Sequence, residues 1–98
     1  MKRVYIAGKV TGENRKACEA KFEHAEKYIR TKGCEPINPT KLVKEGTEWE
    51  EAMTIYLNEL TGCDAIFLLP DWHESMGAKQ ELVTALNCGR EVINGFTL

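Results

Sequence analysis

The most constraining stretch of the chain is the apolar run Ala65–Leu69, which Pro70 ends. A short run without alternating polar residues is typical of a strand that is buried on both faces of a sheet. The sequence Asp71-Trp-His-Glu74 then turns the chain, and Ser75 is a good helix N-cap because its hydroxyl can accept a backbone N–H. A helix that leaves the carboxyl end of a buried strand predicts an open parallel α/β sheet, which binds ligands at that edge.

Glu81 is the candidate catalytic residue of the helix that follows this turn. The apolar residues Ala78, Leu82, Ala85 and Leu86 recur at the spacing of one helix face. At about 100° per residue, Glu81 falls on the flank of that face, where its carboxylate can lean over the strand's end and be partly desolvated. The alternative is a surface glutamate whose stem covers apolar surface while its carboxylate stays in water.

The whole chain alternates as β-α-β-α-β-α-β, which predicts right-handed crossovers and a parallel sheet with helices on both faces. We expect a single domain over residues 1–98, a three-layer α/β sandwich with the strand order 2-1-3-4. The predicted strands are Val4–Ala7, Glu35–Pro39, Asp64–Leu69 and Glu91–Asn94.

The predicted helices have recognisable ends and apolar faces. The first runs from about Glu13 to Thr31, and Gly33 is a plausible stop signal. The second opens on the capping-box sequence Thr47-Glu-Trp-Glu50 and ends at Gly62, and Gly89 stops the third. The apolar face of the first helix is Cys18, Phe22, Ala25 and Ile29, and that of the second is Trp49, Met53, Tyr56 and Leu60.

Composition excludes several classes of function. The net charge is −2 and no cluster of Lys and Arg is present, so no polymeric nucleic acid is expected as a partner. No apolar stretch reaches the roughly 20 residues that span a bilayer, and the first residues are too polar for a signal peptide, so we expect a cytoplasmic protein without a membrane partner. The four cysteines are scattered, which favours reduced, buried thiols and no metal or other cofactor.

The loop Gly8-Lys-Val-Thr-Gly12 follows the first strand and contributes the candidate binding residues Gly8, Lys9 and Thr11. Glycines let the backbone approach a ligand closely, and the start of the next helix offers N–H groups to an anion. The loop is not a Walker A motif, because the ending Gly-Lys-Ser/Thr is absent. A plain strand-to-helix turn with a solvated lysine is the alternative.

A set of residues that occur together and in order carries a resemblance to a known family. The set is Tyr5-Ile-Ala-Gly8, Thr11-Gly12, Asn38-Pro39, Trp49, Met53, Cys63-Asp-Ala65, Leu69-Pro70, Trp72, Ser75, Gly77-Ala78 and Glu81. The chain resembles a small bacterial and phage domain of the nucleoside 2-deoxyribosyltransferase-like superfamily, and Ser75-x-Gly77-x-x-x-Glu81 is also similar to deoxynucleoside 5′-monophosphate N-glycosidases. The resemblance covers nearly the whole chain and implies a flavodoxin-like (Rossmann-like) fold.

The resemblance also implies roles for individual residues. Glu81 would be the nucleophile that attacks the anomeric carbon of a nucleoside or nucleotide, as in a retaining glycosidase. Tyr5 would orient that carboxylate, although a half-buried strand tyrosine is the alternative. Ser75 and Gly77 would hold the 5′ end of the nucleotide at a helix N-terminus. Apart from the resemblance, the position of Trp72 in a turn is consistent with stacking on a base or with covering the core.

The chain also departs from these relatives. Many of them carry an aspartate where this chain has Tyr56, and many have glycine where it has Asp71. The loss of the first acid weakens the case for hydrolysis, and Asp71 is the candidate to supply a carboxylate from the opposite side, as is Glu74. Lys9 replaces a common proline and could add charge for a phosphate.

Three classes of function therefore stay open. The first is an N-glycosidase or 2-deoxyribosyltransferase, the second is a nucleotide-binding module without turnover, and the third is an α/β interaction domain without a ligand. Ile55 and Phe96 lie off the expected core faces, and spare apolar surface in a small domain favours a homodimer or a higher homo-oligomer.

Overall fold

The computed structural model describes all 98 residues and contains a four-stranded, all-parallel sheet. The strands are β1 (Arg3–Ala7), β2 (Glu35–Ile37), β3 (Ala65–Leu68) and β4 (Glu91–Ile93), in the spatial order β2-β1-β3-β4. The helices are α1 (Arg15–Thr31), α2 (Trp49–Thr61) and α3 (Met76–Asn87). The predicted α/β class and the strand order 2-1-3-4 are confirmed.

The two central strands are buried on both faces, and their alternating side chains build two separate core clusters. Val4 and Ile6 of β1 pack toward α1, whereas Tyr5 and Ala7 face the cluster formed with α2 and α3. Every residue of β3 is buried, as the unbroken apolar run predicts. The alternation along β1 therefore sends Tyr5 to the same side of the sheet as α3.

Three helix ends follow the predicted signals. Ser75 caps α3, since its Oγ accepts the Ala78 amide at 3.1 Å. Gly33 and Gly89 adopt positive φ angles of 76° and 70° just after α1 and α3, which favours glycine there. The start of α1 lies at Arg15 instead of Glu13, because the Asn14 side chain accepts the Ala17 amide and makes Asn14 the cap.

The predicted capping box of α2 is wrong. Thr47 Oγ1 donates to the carbonyl of Lys44 at 2.7 Å, and α2 begins at Trp49 with no side-chain cap. Trp49, the first residue of α2, is 41% exposed and is not buried with Met53 and Leu60 as predicted. The β2 strand also ends earlier than predicted, since Pro39–Lys41 forms a short 3-10 turn capped by the Asn38 side chain.

The buried face of α3 is rotated from the predicted one. Ala78, Glu81 and Ala85 are buried, whereas Leu86 is 58% exposed. The sheet therefore meets the side of the helix that carries Glu81. Leu82 is partly buried at the edge of the same cluster.

Two further expectations concern residues outside the core faces. Cys18 and Cys63 are buried, but Cys34 is half-buried and Cys88 is exposed, so burial of all four thiols is wrong. Ile55 is 37% and Phe96 39% exposed. The homo-oligomer stays a prediction.

None of the helices combines the length and the apolar character that crossing a membrane requires.

Candidate functional site

A cleft of about 270 Å³ opens where β1 and β3 end. Its walls come from the first loop, the connection between β2 and α2, the inner face of α2 and the first turns of α3. The predicted site residues that line it are Gly8, Thr11, Ser75, Gly77 and Glu81. The cleft therefore lies at the carboxyl edge of the parallel sheet, where ligands of this fold class bind.

Tyr5 and Glu81 form a buried pair at the base of this cleft. The Tyr5 hydroxyl donates to Glu81 Oε2 at 2.5 Å. Tyr5 is fully buried and Glu81 is 4% exposed. The expectation that the two residues lie within hydrogen-bond reach is confirmed, and the solvated surface position for Glu81 is excluded.

Burial dominates the electrostatics of the pair. Desolvation raises the pKa of the Glu81 carboxyl to about 8, although the hydrogen bond from Tyr5 acts in the opposite direction. Desolvation also raises the pKa of Tyr5 well above its usual value, and the neighbouring Glu81 adds to that rise. Tyr5 is therefore a neutral hydrogen-bond donor at any physiological pH, and Glu81 is the group that titrates.

The second carboxyl oxygen of Glu81 faces the cleft. Oε1 accepts no hydrogen bond from the protein, whereas Tyr5 holds Oε2. Arg90 Nε is the only side-chain nitrogen or oxygen that is both fully buried and without a hydrogen-bond partner. Because Glu81 Oε1 also lacks a partner, it is not fully buried and is accessible from the cleft. One oxygen of the carboxyl is thus fixed in place while the other is free to meet a ligand.

The N-terminus of α3 forms the end wall of the cleft and continues into a second cavity of about 330 Å³. Lys9, Thr11, Ser75 and Gly77 line this second cavity. The first N–H groups of a helix have no intrahelical partner and attract anions, so this wall suits a phosphate. Ser75 accepts the Ala78 amide through Oγ and keeps its hydroxyl hydrogen to donate.

Gly8 and Gly77 allow close approach of neighbouring atoms in this region. A Cβ on Gly8 would meet Leu69 Cδ1 at 2.5 Å, and a Cβ on Gly77 would meet Met53 Sδ at 3.1 Å. Real Cβ atoms are not found at the first of these distances, so the first loop can rest on Leu69 only because residue 8 is glycine.

Asp71, a predicted catalytic residue, lines neither cavity. Its Oδ1 accepts the Lys9 amide at 3.1 Å, and its Oδ2 accepts from Lys21 Nζ at 2.6 Å. Lys21 Nζ also donates to the Lys9 carbonyl at 2.8 Å and to Glu13 at 3.0 Å. Asp71 therefore fastens the first loop to the β3–α3 connection, outside both cavities.

Trp72, the predicted stacking residue, does not line the cleft either. It is half-buried and packs against the core cluster of Tyr5, α2 and α3. The exposed tryptophan of the site is Trp49, which lines both cavities. Helical periodicity predicts a core position for Trp49, and the structure corrects this prediction, because the side chain is 41% exposed and lines the cleft.

Sequence reasoning also missed several residues of the outer wall. Arg15 lines the cleft from the start of α1. Tyr56, which stands where many of the resembling proteins have an aspartate, lines it from the inner face of α2. The segment Val43–Thr47 covers the cleft from the β2–α2 connection. The Asn38-Pro39 pair was the available signal, because it ends β2 at the same edge of the sheet. No group of three or more His, Cys, Asp or Glu side chains comes together as a metal site would require.

Comparisons with known proteins place this fold. The family described as "Domain of unknown function (DUF4406)" matches residues 2–94, whereas no curated protein sequence matches the chain. Among solved structures, a Clostridium botulinum CMP N-glycosidase superposes with a TM-score of 0.63 at 18% identity, over 93% of this chain and 66% of that one. A 2-deoxyribosyltransferase from Leishmania mexicana superposes with a TM-score of 0.73 at 23% identity, over 94% of this chain and 62% of that one.

At these identities the superpositions establish the fold alone, which the chain shares with the N-glycosidase and the deoxyribosyltransferase. The chain spans about two thirds of the length of either protein. Since the match to the family covers residues 2–94, the chain belongs to the domain of unknown function DUF4406 family.

Proposed function

We propose that this protein breaks the N-glycosidic bond of a nucleoside or nucleoside 5′-monophosphate, with Glu81 as the nucleophile and Tyr5 as the residue that orients it. The observation that carries the proposal is the buried Tyr5–Glu81 pair at 2.5 Å, with Glu81 Oε1 open to the cleft. A carboxylate held by one oxygen and free at the other is arranged for attack on a carbon that approaches from the cleft.

The reaction proceeds in two displacements. Glu81 Oε1 forms a bond to the anomeric carbon while the bond from that carbon to the base nitrogen breaks. The base leaves with the electron pair and takes a proton from solvent. In hydrolysis, water then attacks the anomeric carbon and loses a proton to solvent, while the ester bond to Glu81 breaks and the carboxylate is restored. In transfer, a nitrogen of a second base attacks and loses its proton to solvent instead.

Burial helps this chemistry and also limits it. The apolar surroundings deprive the Glu81 carboxylate of water, which strengthens its interaction with the oxocarbenium-like carbon. The same desolvation holds the pKa of Glu81 at about 8, so the carboxyl is mostly protonated in the free protein at pH 7. The reactive form therefore gains population as the pH rises.

The remaining walls suit the other parts of a nucleotide. The N-terminus of α3, with Ser75 and Gly77, would take the 5′-phosphate, and Lys9 in the adjoining cavity would add positive charge. Trp49, exposed at the junction of the two cavities, replaces Trp72 as the aromatic surface for the base. The similarity to the CMP N-glycosidase and the 2-deoxyribosyltransferase supports this class of substrate.

A second candidate function is nucleotide binding without turnover. The two oxygens of Asp71 are occupied by the Lys9 amide and Lys21, and α2 presents the neutral Tyr56 to the cleft. The other carboxylate that lines the cleft is that of Glu45, which is exposed on the β2–α2 connection, so Glu81 has no second buried carboxylate beside it to help the base depart or to activate water. If Glu81 alone does not support turnover, this observation favours a binding module over an enzyme.

Base release separates the two candidates. Each deoxynucleoside, ribonucleoside and 5′-monophosphate is incubated with the protein, and free base is measured by chromatography. We expect release from at least one of them. Thermal shifts with the same compounds identify a binding module, because a ligand at about 100 times its Kd stabilises the folded state by roughly 2.7 kcal/mol. Neither release nor a shift would favour a ligand-free interaction domain.

A further inference from the structure

Tyr56 is a buried residue whose hydroxyl forms no hydrogen bond within the protein. Its side chain lies on the inner face of α2, is 8% exposed and lines the cleft. The chain has three tyrosines. The Tyr5 hydroxyl donates to Glu81, and the Tyr28 hydroxyl donates to the Leu98 carbonyl at 2.8 Å. Tyr56 is the tyrosine whose hydroxyl contacts no protein donor or acceptor.

This hydroxyl is open to the cleft and not sealed in the core. Arg90 Nε is the only fully buried side-chain nitrogen or oxygen without a hydrogen-bond partner. The Tyr56 oxygen also lacks a partner, so it is not fully buried and is accessible from the cleft. A buried hydroxyl without a partner costs free energy, whereas one that faces a cleft can bond to water and then to a ligand. The ring is therefore held by packing while its polar end is left for a ligand.

The hydroxyl also lies in the electrostatic field of the reactive carboxyl. Desolvation raises the pKa of Tyr56, and the nearby Glu81 raises it further, whereas Arg15 lowers it. The phenol consequently stays protonated over the range in which Glu81 titrates. It can donate one hydrogen bond and accept another, but it cannot act as a base.

We propose that the Tyr56 hydroxyl binds the 3′-hydroxyl of the sugar when a 2′-deoxynucleoside 5′-monophosphate occupies the cleft. This inference rests on the proposed function. If Glu81 Oε1 meets the anomeric carbon, a hydroxyl that neighbours Glu81 from the adjacent helix α2 meets the sugar and not the base. The ring of such a nucleotide carries a single free hydroxyl, at the 3′ carbon, so the contact is specified by the chemistry of the ligand.

A cycle of two proteins and two substrates tests the contact. Wild type and Tyr56→Phe are compared by kcat/KM for base release from a 2′-deoxynucleoside 5′-monophosphate and from its 2′,3′-dideoxy counterpart. For each substrate, the kcat/KM of Tyr56→Phe is divided by that of wild type. This ratio cancels the different intrinsic reactivities of the two glycosidic bonds. We expect Tyr56→Phe to lower kcat/KM about tenfold for the deoxy substrate, the factor that about 1.4 kcal/mol gives, and to leave the dideoxy substrate within about twofold.

Tyr28→Phe is the matched control, because it removes a tyrosine hydroxyl that bonds Leu98 on the α1 side of the sheet. It should leave both substrates unchanged. If Tyr56→Phe lowered kcat/KM equally for both substrates, or for neither, the proposed contact would be overturned. Turnover by the wild type would still support the proposed function. If the wild type released no base from any substrate, the proposed function and this inference would fail together.

Discussion

The Tyr5 hydroxyl lies 2.5 Å from Glu81 Oε2, although the two residues are 76 positions apart in the chain. The pairing results from two simple features. Alternation along β1 turns Tyr5 toward the α2 and α3 side of the sheet, and the buried face of α3 carries Glu81 where an apolar residue would otherwise lie. A carboxyl placed in a core without a cationic partner is costly, and proteins keep such groups chiefly at functional sites.

The cost of burying Glu81 predicts a pH dependence of stability. Because the pKa of Glu81 is about 8 in the folded state and about 4.5 in the unfolded chain, only the folded state holds this proton between those values. The free energy of unfolding should therefore fall as pH rises across this window, by about 1.4 kcal/mol per pH unit from this residue. Glu81→Gln removes this pH-dependent contribution, so the stability of the variant relative to wild type should increase from pH 5 to pH 8. Denaturant unfolding at several pH values measures the difference. A constant difference across the window would contradict the burial effect.

Tyr5 should set the pH at which the proposed base release begins. If ionised Glu81 is the nucleophile, kcat/KM for base release should rise with pH through an apparent pKa near 8. Tyr5→Phe removes the hydrogen bond that lowers this pKa, so the midpoint should move to higher pH and the maximal rate should fall. A rate that decreased with pH in this range would mean that the protonated carboxyl is the active form.

Ser75 combines the cap of α3 with a place in the candidate phosphate site. Ser75→Ala removes the cap and should cost about 1 kcal/mol of stability. Asn14→Ala is the matched control, since Asn14 caps α1 in the same way through the Ala17 amide. Only Ser75→Ala should weaken binding of a 5′-monophosphate relative to its nucleoside, by about 1–2 kcal/mol for one lost hydrogen bond. Equal affinity ratios in the two variants would remove Ser75 from the phosphate site.

Lys21 should hold the first loop in place from outside the cleft. Lys21→Met removes its bonds to Asp71 and to the Lys9 carbonyl, so amides of the loop should exchange faster and stability should fall by about 1–2 kcal/mol. Lys27→Met is the control, because Lys27 pairs only with exposed Glu23 at 3.5 Å and should change stability by less than about 0.5 kcal/mol. Similar exchange rates in the two variants would show that Asp71 holds the loop without Lys21.

The periodic parts of the fold could be predicted from the sequence because each depends on neighbours along the chain. The apolar run Ala65–Leu69, the Ser75 cap and the glycine after each of two helices are local signals, and all of them are confirmed. The position of Glu81 on the flank of the α3 face was also readable from helical geometry.

The rest of the site depends on contacts between distant residues. Lys21 and Asp71 are 50 positions apart, and no local pattern shows that their ion pair withdraws Asp71 from the cleft. Helical periodicity predicts Trp49 on the core face of α2 and leaves Trp72 as the aromatic candidate, whereas Trp49 is 41% exposed and lines the cleft. Sequence periodicity predicts which face of a helix or strand a residue lies on. Whether that residue is buried in the core or lines the cleft depends on where the helices and strands end.

Base release by Glu81→Gln tests the central claim most directly. The substitution keeps the shape of the side chain and removes its charge, and Glu26→Gln is the matched control because Glu26 is the other buried glutamate, 3% exposed on α1. We predict that Glu81→Gln binds nucleotide within a few-fold of wild type and releases base about 10³-fold more slowly, a loss of about 4 kcal/mol in transition-state stabilisation, whereas Glu26→Gln resembles wild type. Equal turnover by Glu81→Gln and wild type would contradict the account.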